Sequence, residues 1–213
     1  MHAHPHPHPR PAWGEPRPGP VHRLVRALRD RIGPAVTTQA PGLGELPLAL
    51  RRSALAAPYL EAEASGDHPA AAAAASDAAE HAISEGAWWD ADAWAHRALW
   101  HFERAEMTLE ATRQARRIGD LRTAAGDPDT ARRYYAEAID EARDIGAERE
   151  QGLAALGLGR ALLDLGEVTQ ARRLGGAAVT LLERSAAPAG ELTAARDLLG
   201  TELSVGERAE EGR

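Results

Sequence analysis

Two stretches of this 213-residue chain can be laid over one another at an offset of 40 positions. Residues 126–138 (GDPDTARRYYAEA) and 166–178 (GEVTQARRLGGAA) share the leading glycine, both arginines and two spaced alanines. Ile118-Gly119 falls over Leu158-Gly159 in the same register. One step back lie Gly86, Ala91 and Ala98, and one step forward lie Leu198-Leu199 and Gly206. A period of this length is the mark of a stacked repeat, so it constrains the fold before any single motif does. Each unit reads as a helix, a tight turn and a second helix. The glycine supplies the positive φ that ends the first helix. The columns Ala91/Ala131/Ala171 and Ala98/Ala138/Ala178 are small where two helices of a hairpin must approach closely. Larger columns, Leu99/Ile139/Val179 and Phe102/Ala142/Leu182, fill the groove beside them. One such hairpin cannot bury its apolar face; a row of them can.

Composition points the same way. Between residues 69 and 203 strand formers are scarce, alanine, leucine, glutamate and arginine dominate, and apolar positions recur at three and four. The expected fold class is all-α, with antiparallel helical hairpins stacked as an α-solenoid. Helices are expected over 70–85, 88–103, 107–125, 128–145, 148–165, 168–185 and 188–203. Asp127 before Pro128 is a good start signal, a capping acid followed by proline at the first helical position. Ahead of the repeats, residues 1–20 alternate histidine and proline and read as an extended, solvated leader rather than a fixed metal site. Residues 21–68 hold an amphipathic basic helix over 21–32, stopped by Gly33-Pro34, then a linker and a short helical stretch over 48–64. The 21–32 helix is read as capping the main body with its arginines in water. Residues 69–205 are the repeat region and 206–213 a polar tail.

Ile118-Gly119, Gly126, Ala131, Tyr135 and Ala138 resemble the tetratricopeptide-repeat pattern: a large then a small residue in the first helix, a turn glycine, then small, aromatic and small in the second. Leu158-Gly159, Gly166, Ala171 and Ala178 repeat it, with Gly175 departing at the aromatic slot; around Gly86 the slots hold Ala78-Ala79 and Ala95. The 40-residue period exceeds the family's usual 34 and is similar to longer-helix variants found in bacterial regulators. The resemblance implies a concave groove lined by first helices that binds an extended peptide or a partner's tail. Carried onto this chain, the groove residues are Arg113, Arg116 and Asp120 from one helix and Leu156, Arg160 and Leu163 from the next. Arg113, Arg116, Arg117 and Arg160 make a positive patch, and guanidinium forks suit an acidic peptide or a free C-terminus. The competing reading is a solvated face paired with Glu103, Glu106 and Glu110 at helical spacing.

A second candidate is aromatic. Four of the five tryptophans lie between Trp88 and Trp100. Trp94 and Phe102 share the stripe of the repeat alanines and are expected in the core. Trp89, His96 and Trp100, with His101 beside them, form another stripe, read either as a ligand or homodimer surface or as packing under the N-terminal helix. Asp92 and His96 stand four apart, a spacing that two metal ligands can use, and are read as a surface pair; no metal or other cofactor is expected.

The chain has no cysteine, lysine or asparagine, so its 25 basic residues are all arginine. That excludes a disulfide scaffold, a zinc ribbon, a thiol nucleophile, a P-loop lysine and a Schiff-base enzyme. The A-rich codons of the missing lysine and asparagine suggest a GC-rich bacterial origin. A formal charge of −7 argues against nucleic-acid binding, which needs a positive field. No apolar stretch approaches the roughly 18 residues of a membrane span, and a cytoplasmic protein without a membrane partner is expected. The sequence therefore favours a non-catalytic interaction module that binds a peptide or protein partner. The alternative is an enzyme or small-molecule-binding protein using the Trp89–His101 cluster, and a third, weaker one is a DNA-binding regulator acting through the 21–32 helix.

Overall fold

The computed structural model describes residues 55–200. The leader, the 21–32 helix, the linker, the first part of the 48–64 stretch and the 206–213 tail lie outside the described residues. Within them the chain forms eight helices and no strand: α1 (Ala56–Ser65), α2 (His68–Ser84), α3 (Trp88–Arg104), α4 (Thr108–Ala124), α5 (Pro128–Asp144), α6 (Glu148–Asp164), α7 (Val168–Arg184) and α8 (Ala189–Gly200). From α2 to α7 every helix has 17 residues and starts 20 positions after the last. The sequence period of 40 is thus two structural steps of 20.

The reason lies in the turns. At Gly126 (φ 74°) the amide donates to the Thr123 carbonyl at 3.0 Å, and the Asp127 amide reaches back to the Arg122 carbonyl at 2.9 Å. This pair of bonds satisfies carbonyls orphaned at the helix end. The same pair recurs after every helix from α1 to α7, with the left-handed residue at Gly66, Gly86, Glu106, Gly126, Gly146, Gly166 and Ala186. Sequence reading placed a glycine turn only inside each hairpin; the links between hairpins have the same geometry. Two helices also begin with the acid-proline signal, Asp67 capping the Ala70 amide at 3.0 Å and Asp127 capping Thr130 at 3.1 Å.

Successive helices pack antiparallel, and α4 touches α6 while α6 touches α8. The odd-numbered helices α3, α5 and α7 make no comparable approach to one another, so the even-numbered row is the tighter, inner side of the stack. Every alanine of the two repeat columns is fully buried, which lets the hairpin backbones close up. Tyr135 of α5 fills the gap between α4 and α6: a Cβ built on Gly119 would lie 2.8 Å from its ring, and one on Gly157 only 2.3 Å. Where the next unit has Gly175, leucines take the space, for a Cβ there would meet Leu199 of α8 at 3.2 Å. Trp94 is buried as expected and meets the Tyr59 ring edge-on at 5.3 Å. The result is an all-α solenoid of helical hairpins. No helix among the described residues is long and apolar enough to cross a membrane.

Candidate functional site

A groove of about 340 Å³ runs across the inner row, with contributions from α2, α4, α6 and α8 and from Phe102 at the end of α3. Its apolar surface is Phe102 and Leu153, its neutral polar groups Ser76 and Gln114, its cations Arg113, Arg116, Arg117 and Arg149, and its acids Glu110, Glu150 and Glu191. Gln114 is buried, donating to the Ala95 carbonyl at 3.3 Å and accepting from the Ser76 hydroxyl at 3.1 Å. It ties α4 to α2 and α3 and fixes the groove's floor.

The arginines are held from neighbouring helices. Arg113 donates through Nε to Glu150 Oε1 at 2.9 Å, Arg117 pairs with Glu80 of α2, and Arg149 donates through Nε to Glu191 of α8 at 3.0 Å. Arg116 donates to Asp120 at 2.7 Å within its own helix, and its Nε stands 3.8 Å from Glu150 Oε2. Glu150 is 6% exposed, an acid sunk between two guanidiniums, and its Oε2 has no hydrogen-bond donor among the described residues. Because Arg113, Arg117 and Arg149 are each held by an acid of a neighbouring helix, their guanidiniums are presented in a defined orientation. The side chain of Arg113 is 49% exposed.

The expected groove residues divide accordingly. Arg113 and Arg116 line the groove. Asp120 is exposed and buttresses Arg116 while accepting from the Tyr135 hydroxyl at 2.7 Å; burial first, then this acid, pushes that hydroxyl's pKa up. Leu156 is 5% exposed and belongs to the core shared with α7 and α8, and half-buried Leu163 packs against the same core. Arg160 is exposed and does not line the groove. Glu80, Glu150 and Glu191 on adjacent helices and Asp120 on the same helix pair with these arginines; of the acids at helical spacing, Glu110 lines the groove. A signal for the pairs between helices existed: Glu80–Arg117 and Arg113–Glu150 are each 37 apart, one repeat less one helical turn. Ser76, Gln114, Arg149, Glu150, Leu153 and Glu191 are the groove residues that the motifs do not reveal.

The aromatic stripe is split by the fold. Trp89 is 80% exposed at the start of α3. His96 joins α3 to α5, its Nε2 at 2.8 Å from the Tyr134 hydroxyl and its Nδ1 at 2.8 Å from the Asp92 carbonyl. Asp92 itself accepts from Arg122 at 2.6 Å. Trp100 and buried His101 lie at the other end, among His68 and Tyr59. The Tyr59 hydroxyl donates to Glu63 at 2.8 Å, so toward His101 Nε2, 3.3 Å away, it accepts. His101 is therefore protonated on Nε2, and its Nδ1 accepts from His68 Nδ1 at 2.9 Å. Burial first, then His68, lowers the His101 pKa to about 4. No protein-family model and no curated protein matches the sequence.

Proposed function

We propose that the chain is a non-catalytic, tetratricopeptide-like interaction module that holds an extended segment of a partner protein along the inner groove. The observation that carries this reading is the set of arginines gripped at one edge by acids of neighbouring helices beside the apolar Phe102 and Leu153. Such a surface offers pre-oriented donors for carboxylates and apolar places for an anchoring side chain. An acidic segment carrying an aliphatic or aromatic residue is the guest that fits both.

Fluorescence polarisation with labelled twelve-residue peptides tests this, comparing acidic, basic and neutral sets that each carry one leucine or phenylalanine. The acidic set is expected to bind and the basic set not to. Replacing Arg113 and Arg149 by glutamine should weaken binding at least tenfold while the helical circular dichroism is retained. Equal binding of acidic and basic peptides, or an unchanged affinity in the double variant, would remove the groove assignment.

A further inference from the structure

A second cleft, of about 470 Å³, opens on another face of α6. Its floor is Leu158 and Leu162 of α6 with Leu174 of α7, and its rim is Arg132 of α5 with Gln170 and Arg173 of α7. Leu158 lies five residues past the groove residue Leu153, roughly 140° further round the helix. The cleft therefore faces the outer row, between α5 and α7, where the odd-numbered helices stand apart.

The repeat register explains why it is open here and not one unit earlier. Forty positions upstream, Arg132, Leu162 and Leu174 correspond to Asp92, Arg122 and Tyr134, and Ala136 corresponds to His96. In that upstream unit the Arg122–Asp92 ion pair and the His96–Tyr134 hydrogen bond knit α3, α4 and α5 together, the two rings meeting edge-on at 5.6 Å. Downstream, two rings are replaced by a leucine and an alanine, and the ion pair by a leucine and an arginine. A filled polar seam becomes an apolar floor beneath a positive rim.

The rim's unbalanced charge rests on Arg173, since Arg132 lies 3.4 Å from Asp129. Arg132 also donates to Glu167 at 3.2 Å, whereas Arg173 is exposed and has no ion pair or hydrogen bond among the described residues. The volume falls within the roughly 300–1,000 Å³ of small-molecule sites, and an apolar lining with a few placed polar groups is their usual make-up. A guanidinium at the mouth favours one anionic head over a neutral or cationic one. We infer that the α5–α7 cleft is a binding site for a small amphipathic anion, a carboxylate or sulfonate on an apolar body, separate from the peptide groove.

Titration of the full chain with 8-anilinonaphthalene-1-sulfonate, followed by fluorescence, tests this. Saturable one-to-one binding is expected, reversed by dodecanoate below its micellar concentration and not by dodecyltrimethylammonium. Arg173→Glu, a change at an exposed position, should weaken the probe at least tenfold. The pair Ala136→His and Leu174→Tyr, which restores the upstream side chains, should abolish binding, while Arg113→Gln in the groove should leave it unchanged. No saturable binding, equal displacement by the cationic detergent, or an unaltered dissociation constant in Arg173→Glu would overturn the assignment.

Discussion

Tyr135 occupies the volume that side chains at Gly119 and Gly157 would need, so two helices approach a third only because both lack a Cβ there. Replacing a helical glycine with alanine ordinarily gains about 1 kcal/mol in propensity. At Gly157 the added carbon would sit 2.3 Å from the ring, and overpacking of this kind costs about 1–3 kcal/mol. Gly157→Ala should therefore lower the urea midpoint. Gly176→Ala, with nothing within 4 Å of the added carbon, should raise it by the propensity gain alone. The contrast separates packing from backbone entropy within one fold. Nothing local to Gly157 announces this role, because the ring that needs the space is 22 positions away. The groove was legible to the same limited degree: the tetratricopeptide resemblance pointed to Arg113 and Arg116, but Glu150, which lies against both, is on another helix. Glu150 in particular looks like any surface glutamate until α4 is laid against α6.

Helix positions, by contrast, were readable almost throughout. The observed α3, α5, α6 and α7 begin where the periodicity put them, and their ends fall within a residue or so. What escaped reading was the turn between hairpins, since two of its left-handed positions carry Glu106 (φ 57°) and Ala186 (φ 50°) instead of glycine. Local chemistry there argues against the conformation; the stacking of the flanking helices imposes it. An L-residue in this region costs about 1–2 kcal/mol, offset in part by the roughly 0.5–1 kcal/mol of chain entropy that glycine loses on folding. Glu106→Gly should accordingly stabilise the protein by about 0.5–1 kcal/mol. Gly126→Ala, at the equivalent turn with φ 74°, should destabilise it by a comparable amount. Thermal or urea unfolding of the pair measures both signs in one experiment.

Across the whole molecule, buried His101 and half-buried Glu141 set opposing pH dependences. His101, its pKa lowered to about 4 chiefly by burial, is neutral in the fold but takes up a proton in the unfolded chain near pH 6.5. Its contribution is complete above that pH and is lost as pH falls toward 4, on the order of 3 kcal/mol in all. Glu141 has its pKa raised to about 7, first by burial and then by Glu137, although the Thr112 hydroxyl donates to it at 3.1 Å. That contribution is complete below about pH 4.5 and fades as pH rises through 7. Between pH 4.5 and 6.5 the two slopes oppose each other. Glu141→Gln should remove one of them, so its urea midpoint should drop more steeply than the parent's on acidification across that window; parallel curves would contradict the assignment. A last consequence follows from the turns being interchangeable every 20 residues. Gaining or losing a single helix would leave every joint intact yet swap the inner and outer rows for all that follows, reversing which side chains face a guest. Lengthening the binding surface in one sense therefore requires helices to be added two at a time.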